Sequence, residues 1–401
     1  MSLEPLGWRL GLERMQRLMA VLGMPQHRFA SIHVVGTNGK SSVTLMTAAL
    51  LEAHGVRSGA YVSPHFDGWS DRIRIGGKTI DDDAFATAVA RTADAAASVN
   101  RSLEEGDALT QFEVATAAAF VAFAAAGVAV AVVEAGLGGR LDATNVIPSK
   151  LTVVTSIALD HTQWLGDTEE EIAGEKLAVL RDHTTLVVGE LGDQAGDVAR
   201  RVAGERNAQV LAADEVPADI ELRAAGAYQR RNFGLAATAA GAFLGRLDMD
   251  AVRGVAGSLT IPARLELREG DPPVLLDAAH NPAGAHALAE SLGAAAAGRP
   301  VVACIAVLAD KDAAGIVAEL AQACEAIVCT EIPGQMLEGS GRPGAKSVAA
   351  AELARIAREA GTATVEAVAD PGAAVARARE LALARDGLAL ITGSHYLVGT
   401  I

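Results

Sequence analysis

The sequence predicts an α/β fold, with a mostly parallel sheet in a large first domain and a second, smaller α/β domain after it. Two observations support this prediction. Runs of β-branched and apolar residues alternate with helix-like runs, and the same alternation restarts after residue 260. Parallel neighbours need a long crossover, usually a helix, so an alternating chain favours a parallel sheet covered on both faces. For 401 residues we expect two domains, at 1–260 and 261–401.

The individual elements follow from short patterns in chain order. Strands are predicted at 31–35, 57–62, 129–134, 151–156, 184–188, 273–277, 300–306, 325–330, 363–367 and 387–393. Helices are predicted at 9–22, 40–54, 83–98, 112–126, 168–179 and 228–245. The glycine-rich stretch 333–347 is predicted to be a mobile loop. The long apolar run that ends in Glu134 is interpreted as a buried helix and a buried strand, because Gly127 interrupts it.

Composition argues against several classes of partner. A net charge of −15 is unfavourable for binding nucleic acid or an anionic membrane surface, so we expect neither. The cysteines Cys304, Cys324 and Cys329 are odd in number and lack CxxC spacing, which suits a cytoplasmic protein and offers no disulfide framework or zinc site. Anionic small-molecule substrates would then be held by local clusters of Lys and Arg.

The stretch "VVGTNGKSSVTLMTAALL" at 34–51 places glycines, a lysine and hydroxyls between a predicted strand and a predicted helix. The first N–H groups of a helix lack partners, and the helix dipole favours an anion there. Lys40 adds a point charge for phosphate, and a Ser hydroxyl after it can reach magnesium. The spacing is GxxGKS, two residues shorter than the usual Walker form. An ordinary glycine turn is the alternative, but the GKS ending favours nucleotide binding.

Further polar side chains follow other predicted strands. Glu134 ends a buried strand, where α/β proteins place ligands and where a carboxylate suits magnesium. His161 ends the next strand, so metal ligation by its imidazole is plausible. Asp142 could equally be a helix cap or turn residue. Lys176, judged by spacing alone, is typical of a solvated helix face.

In the second half, "LLDAAHNPAG" at 275–284 runs from a predicted strand into a helix that begins at Pro282. Asp277 and His280 lie in the turn between them, and polar groups at a strand end indicate a site. Arg264 lies near the predicted domain boundary, where an arginine could reach phosphate.

Taken together, these motifs resemble the folylpolyglutamate synthase and dihydrofolate synthase family, within the wider Mur ligase superfamily. The matching motifs span nearly the whole chain in the family's order: "GLERM" at 11–15, "HVVGTNGKSS" at 33–42, "YVSPH" at 61–65, "RIRIGG" at 72–77, "LTQFEVAT" at 109–116, "EAGLGGRLDATN" at 134–145, "LDHTQWLGDT" at 159–168, "GEK" at 174–176, "YQRRN" at 228–232, "IPARLE" at 261–266, "DAAHNP" at 277–282, "ADKD" at 309–312 and "TGSHYLVG" at 392–399.

The resemblance implies a Mur-ligase-type central domain with a phosphate loop, a smaller Rossmann-like C-terminal domain, and a monomeric enzyme. It implies ATP and Mg²⁺ as cofactors, and L-glutamate with folate or dihydropteroate as the other substrates. The implied ATP contacts are Thr37, Asn38, Gly39, Lys40, Ser41, Asn232, Arg264 and Asp277. The implied magnesium ligands are Ser41, Ser63, Glu134, His161 and Lys176, the last as a carbamate. The implied acceptor pocket contains Gly11, Leu12, Glu13, Arg14, Thr110, Gln111, Phe112, Glu113, Leu141, Asp142 and Ala143. Lys40, Lys176, Asp277 and His280 are implied in catalysis, with His280 near the amino acid.

Three departures from the family pattern matter. The chain has GKSS where the family usually has GKGS, so either Ser41 or Ser42 could supply the hydroxyl ligand. Gln111 replaces the usual aromatic residue, which leaves the acceptor open between dihydropteroate, reduced folate or both. The family's "EKAGI" is here "EKLAVL". We expect the first of these departures, GKSS for GKGS, to be neutral for catalysis.

Three other functions are possible from the sequence. A P-loop GTPase or regulatory switch would need a guanine-reading N/TKxD element after a strand, and the sequence has none. A Mur-type ligase of another acid, such as a UDP-sugar peptide, usually carries an extra N-terminal domain, for which we expect no room before Gly36. A catalytically silent ATP-binding relative is disfavoured by Glu134, His161 and Lys176.

Overall fold

The computed structural model describes residues 11–66, 68–339 and 344–401, which form two compact units. The first unit comprises residues up to Glu221 together with Arg231–Leu259. The second comprises Leu222–Arg230 and Thr260–Ile401. The predicted functional domains, 1–260 and 261–401, stay a prediction, because compactness alone does not define a functional domain.

The first unit is built on a sheet whose central strands are apolar and buried. The strands are β1 (Ala30–Val35), β2 (Ser58–Tyr61), β3 (Ile73–Ile75), β4 (Lys78–Thr79), β5 (Val130–Glu134), β6 (Leu151–Val154), β7 (Thr185–Val188) and β8 (Gln209–Ala212). Their order is β4-β3-β2-β5-β1-β6-β7-β8, and all neighbours are parallel except the β2–β3 and β3–β4 pairs. The predicted parallel sheet is therefore confirmed, with an antiparallel hairpin at one edge.

Helices cover the sheet of the first unit. They are α1 (Glu13–Val21), α2 (Lys40–Ala53), α3 (Asp82–Asn100), α4 (Gln111–Ala125), α5 (Thr162–Leu165), α6 (Glu169–Leu177), α7 (Asp193–Glu205), α8 (Ala227–Leu244) and α9 (Met249–Ser258), although residues 227–230 of α8 belong to the second unit. One hydrophobic core joins α1, α3 and α4 to β2 and β5, and another joins α6 and α7 to β6 and β7. The Val114–Glu134 run forms α4 and β5, as predicted. None of the helices in the described ranges has the length and apolar character needed to cross a bilayer.

The second unit has its own sheet and core. Its strands are β9 (Glu266–Arg268), β10 (Val274–Leu276), β11 (Val301–Ile305), β12 (Ala326–Cys329), β13 (Thr364–Ala367) and β14 (Leu388–Thr392). Its helices are α10 (Pro282–Ala295), α11 (Ala313–Ala321), α12 (Gly334–Gly339), α13 (Ala350–Glu359), α14 (Pro371–Leu383) and α15 (His395–Val398). The strand order is β13-β12-β11-β14-β10-β9, and the neighbours are parallel except β9–β10.

One predicted element is wrong in part. The stretch 333–347 was expected to be a loop, but Gly334–Gly339 form α12, and Ser347 makes a β-bridge with Leu308. Leu337 of this helix is fully buried, so burial of an apolar side chain offsets the low helix propensity of glycine. Residues 340–343 lie outside the described residues.

Candidate active site

The sheet register brings three loops to one edge of the first unit. Val34 pairs with Glu134 of β5, and Val35 pairs with Val154 of β6. β1 lies between these two strands, so all three end at the same level. The loop 36–39, the loop after Glu134 and the loop 155–161 therefore leave the sheet side by side, as expected for a ligand site in a parallel sheet.

Two glycines shape the loop between β1 and α2. Gly36 has φ +146°, and a Cβ added to it would lie 1.9 Å from Thr155 Oγ1. Gly39 has φ +83°, and a Cβ there would lie 2.6 Å from Asn232 Oδ1. Larger residues would therefore meet both a strained backbone and a close neighbour. The structure brings Asn232, an implied ATP contact, directly against this loop.

Hydrogen bonds to the loop after β6 fix the backbone of Thr37 and Asn38. Thr37 N donates to Ser156 O at 2.7 Å, and Asn38 N donates to Ser156 Oγ at 3.1 Å. Thr155 Oγ1 donates to Asn38 O at 2.6 Å. These bonds fix the position of the first turn of α2. The backbone N–H groups of that turn have no acceptor within the helix, so they can donate to a bound anion. Thr155 and Ser156 are site residues that the sequence analysis missed.

Lys40 and Lys176 share one acceptor. The Nζ of Lys40 donates to Gly36 O at 3.1 Å and to Thr37 O at 3.0 Å. The Nζ of Lys176, which is buried on α6, donates to the same Gly36 O at 2.9 Å. The two nitrogens are thus within about 6 Å of each other, where two cations repel by about 3 kcal/mol at an effective dielectric constant near 20. The arrangement suits an anion bound near both ammonium groups.

Glu134 is buried and is held by two serines. Ser41 Oγ donates to Glu134 Oε1 at 3.0 Å, and Ser63 N donates to Glu134 Oε2 at 3.0 Å. Ser41 Oγ also lies 3.2 Å from Ser63 O. Ser42 is buried in the core, and its Oγ has no hydrogen-bond partner in the described part of the chain. The sequence allowed either Ser41 or Ser42 as the hydroxyl ligand, but only Ser41 contacts the Glu134 carboxylate.

This cluster suits a hard cation. A buried carboxylate beside a hydroxyl and a carbonyl offers the oxygen ligands that Mg²⁺ prefers. Among the residues that the structure describes, no group of three His, Cys, Asp or Glu side chains could hold a metal.

His161 lies at the same edge of the sheet, after β6. It has φ +52° and precedes the first residue of α5. Its backbone N donates to Asp160 Oδ1 at 2.8 Å, and its Nε2 lies 3.9 Å from the same oxygen. A positive φ is uncommon for a residue other than glycine, so this turn is held by its surroundings.

The glycine loop after Glu134 packs tightly against α6. A Cβ added to Gly139 would lie 2.6 Å from Lys176 O and 2.8 Å from Glu175 O. Arg140 N donates to Glu175 O at 3.0 Å, and its side chain pairs with the Glu175 carboxylate. This contact links the loop that follows Glu134 to the helix that carries Lys176.

A side-chain contact joins two of the implied acceptor segments, and the third lies beside them. The guanidinium of Arg14 lies against the buried carboxylate of Glu113, with Nε 3.2 Å from Oε1. Thr110 and Glu113 form a reciprocal cap at the start of α4. Glu113 N donates to Thr110 Oγ1 at 3.2 Å, and Thr110 N donates to Glu113 Oε2 at 2.7 Å. A Cβ on Gly136 would lie 2.5 Å from the Phe112 ring and 3.1 Å from Asp142 Oδ2.

The Asp142 carboxylate is used within its own loop. It accepts from Leu137 N at 2.8 Å and Thr144 N at 3.0 Å, and also from the Thr144 hydroxyl. Thr144 Oγ1 in turn lies 2.8 Å from Nε2 of the buried His33 on β1. Burial raises the pKa of Asp142 and lowers the pKa of His33 to about 3. Asp142 therefore caps the turn 143–146, while the neighbouring Leu141 side chain is exposed.

In the second unit, Asp277 anchors the end of β10. Its Oδ2 accepts from Tyr228 Oη at 2.8 Å and from Leu265 N at 2.9 Å, and its Oδ1 accepts from Ala279 N at 2.9 Å. Burial raises the pKa of Asp277, and the charge of Arg264 opposes that shift. The sequence motifs by themselves predict no role for Tyr228.

Arg264 is flanked by two residues with unusual backbone angles, Ala263 at φ +51° and Leu265 at φ +47°. Its Nη1 donates to Ala263 O at 2.8 Å. His280 Nδ1 lies 2.9 Å from Ala278 O, in the turn before α10. Non-glycine residues with positive φ cluster at functional sites, which is consistent with a role for this turn.

Comparison with known proteins identifies the family. Residues 263–395 match the family described as Mur ligase, glutamate ligase domain. The chain is 36% identical to the dihydrofolate synthase/folylpolyglutamate synthase of Mycobacterium tuberculosis, over 97% of this chain and 88% of that protein. The chain belongs to the dihydrofolate synthase/folylpolyglutamate synthase family. It is 33% identical to the Escherichia coli family member, over 81% of this chain and 78% of that protein.

Solved structures of family members have the same fold. The Mycobacterium tuberculosis folylpolyglutamate synthase complexed with ADP aligns with a TM-score of 0.89 at 34% identity, covering 98% of this chain and 94% of that one. The Escherichia coli FolC in complex with DHPP and ADP aligns with a TM-score of 0.84 at 29% identity, covering 100% and 94%. The predicted family, fold class and ligase class are thereby confirmed.

Proposed function

We propose that this family member joins the carboxylate of a folate or dihydropteroate acceptor to the amine of L-glutamate, with ATP as the energy source. One observation carries the proposal: Lys40 and Lys176 converge on the phosphate-loop carbonyl of Gly36, in a chain that matches the ADP-bound relative over 98% of its length. A relative solved with Mn, AMPPNP and L-glutamate bound supports the same set of substrates.

The reaction needs an activated acid, because a carboxylate is a poor electrophile. The γ-phosphoryl group of ATP passes to the carboxylate, which forms an acyl phosphate and releases ADP. The deprotonated glutamate amine then attacks the acyl carbon, expels phosphate and loses a proton as the amide forms. Lys40 and the first N–H groups of α2 offset the negative charge of the transferring group. In this scheme Asn232, Arg264 and Asp277 hold the nucleotide, and His280 lies near the amino acid.

Ser41, Ser63, Glu134 and His161 are the residues that would hold Mg²⁺. When bound, the ion would neutralise charge on the phosphate oxygens. A carbamate on Lys176 would turn the buried ammonium into an oxygen ligand and would remove its repulsion with Lys40. The acceptor would lie along Gly11–Arg14, Thr110–Glu113 and Leu141–Ala143. We expect a cytoplasmic monomer that binds neither nucleic acid nor membranes.

Phosphate release tests this proposal. Purified protein is assayed with ATP, Mg²⁺ and L-glutamate, in parallel with dihydropteroate and with tetrahydrofolate. Turnover with dihydropteroate alone indicates a dihydrofolate synthase. Turnover with tetrahydrofolate alone indicates a folylpolyglutamate synthase, and turnover with both acceptors indicates a bifunctional enzyme. No glutamate-dependent release with either acceptor would contradict the proposal.

The variant Lys40→Ala separates the phosphate role from the rest of the site. Losing this cation leaves the phosphate charge uncompensated, so we expect turnover to fall by about a thousandfold or more. Lys78→Ala is the matched control, since Lys78 is exposed on β4 at the far edge of the sheet. Near-normal turnover in Lys40→Ala would refute the phosphate role.

A further inference from the structure

The first unit has a pocket at the edge of the sheet opposite the phosphate loop. It has a volume of about 850 Å³ and lies where β1, β5, β6 and β7 begin, beside Ala30, Ala129, Lys150 and Thr184. β1 is six residues long, so the pocket and the phosphate loop are roughly 20 Å apart along the strand. The volume falls in the range of small-molecule sites.

The charged side chains of this pocket are basic. Arg28, Lys150 and Arg181 line it together with His27, and none of the described residues that line it has a carboxylate. The chain as a whole has a net charge of −15, so a pocket without acidic residues departs from the average surface. The side chains of Arg28 and Lys150 have no ion-pair or hydrogen-bond partner in the described ranges. By contrast, many exposed arginines of the first unit pair with carboxylates, as Arg206 does with Asp182 at 3.0 Å.

Arg181 distinguishes this pocket from a fully exposed basic surface. Arg181 is half-buried, and burial lowers its pKa, so its charge would gain from a nearby anion.

We propose that this pocket binds a small organic polyanion, with phosphate or carboxylate groups, separately from the phosphate loop. Arg28, Lys150 and Arg181 supply the positive charge. Phe29 and Ile147 provide an apolar wall for the body of the ligand. The proposal is independent of the proposed ligase activity.

Arg181 also connects the pocket to the loop that follows Glu134. Its Nη2 donates to Asn145 O and Oδ1, both at 2.7 Å, and to Ile147 O at 3.1 Å. Asn145 Nδ2 in turn donates to Arg140 O at 2.9 Å. An anion beside Arg181 would thus act on residues that shape the loop 140–147, where hydrogen exchange can report its binding.

Calorimetry tests the proposal with two probes, pyrophosphate and tricarballylate, without Mg²⁺. The protein carries Lys40→Ala, which weakens competing binding at the phosphate loop. We expect at least one probe to bind and to slow hydrogen exchange in 145–150. If only pyrophosphate binds, the natural ligand is phosphorylated. If only tricarballylate binds, the ligand is a polycarboxylate. If both probes bind, the site selects for negative charge.

A pair of double variants in the same background locates the binding. Arg28→Ala/Lys150→Ala removes two exposed pocket cations and should weaken binding about tenfold or more. Lys78→Ala/Arg101→Ala removes two exposed cations elsewhere in the first unit and should leave affinity unchanged. The proposal is overturned if neither probe binds, or if both double variants weaken binding equally.

Discussion

At the scale of single residues, neighbouring side chains with the same chemistry have different environments. Ser41 contacts the Glu134 carboxylate, whereas Ser42 is buried without a hydrogen-bond partner among the described residues. Successive helix residues point about 100° apart, so only one of two adjacent serines can face the end of β5. The same principle places Lys176 inward, on Gly36 O, although most helix lysines are solvated.

We predict that Ser41→Ala and Ser42→Ala differ. Ser41→Ala removes a proposed magnesium ligand and should raise the Mg²⁺ concentration needed for half-maximal turnover by about tenfold. Ser42→Ala removes an unsatisfied buried hydroxyl, so stability and turnover should stay close to wild type. Titrating Mg²⁺ in the phosphate-release assay distinguishes them. A larger magnesium effect from Ser42→Ala would contradict the assignment.

Lys176→Ala should nearly abolish turnover if the lysine is a carbamate in the working enzyme. Added short carboxylic acids such as acetate should restore part of the activity, because they can occupy the volume of the lost carbamate. An NMR signal from ¹³C-labelled carbon dioxide on the wild-type protein, missing in the variant, gives an independent readout. An unaffected rate would return Lys176 to a purely structural role.

At the scale of elements, close backbone packing fixes the position of the loop after Glu134. Gly139 allows this loop to approach α6 so closely that Arg140 N bonds to Glu175 O. The strands β5, β1 and β6 end at one level, and the loops beyond them then interlock through such contacts. The geometry of the site therefore depends on packing between elements as well as on its polar residues.

Gly139→Ala should disturb this packing. Its new methyl group would meet two backbone carbonyls, so we expect a loss of stability of about 1–3 kcal/mol and reduced turnover. Gly174→Ala on α6 is the matched control, because nothing lies within 4 Å of the added Cβ. Replacing this helical glycine should stabilise the protein by up to about 1 kcal/mol. Urea unfolding measures both, and equal stabilities would disprove the packing argument.

At the scale of the whole molecule, buried ionisable groups make stability depend on pH. His33 lies in the centre of the first sheet, and burial lowers its pKa to about 3 from an ordinary value of 6.5. The folded protein keeps His33 neutral while the unfolded chain takes up a proton. The contribution of His33 is therefore fully present above pH 6.5 and is lost as pH falls towards 3. Burial raises the pKa of Asp142 and of Asp277, and a raised carboxyl pKa makes the folded state relatively more stable as the pH falls.

Comparison with His33→Gln isolates this contribution. Glutamine does not titrate and can keep a hydrogen bond to Thr144. Between pH 7 and pH 5, wild type should lose about 2 kcal/mol more unfolding free energy than the variant. Urea unfolding of both proteins at the two pH values is the measurement. Parallel losses would show that His33 titrates normally in the folded state.

The sequence by itself determined the fold class, the phosphate loop and the family. These depend on patterns within a few residues: apolar alternation, glycines beside a lysine, and motifs in a fixed order. The predicted strands formed because their runs are apolar and β-branched. The helix Gly334–Gly339 was missed because burial of Leu337, and not local propensity, stabilises it.

Only the tertiary structure decided which polar atoms meet. The shared acceptor of Lys40 and Lys176, the choice of Ser41 over Ser42, the approach of Gly139 to α6 and the basic pocket all join residues distant in the chain. Such contacts depend on the order and register of β5, β1 and β6, which no local pattern specifies. Side-chain partners follow from sheet topology, and topology follows from burial summed over the whole unit.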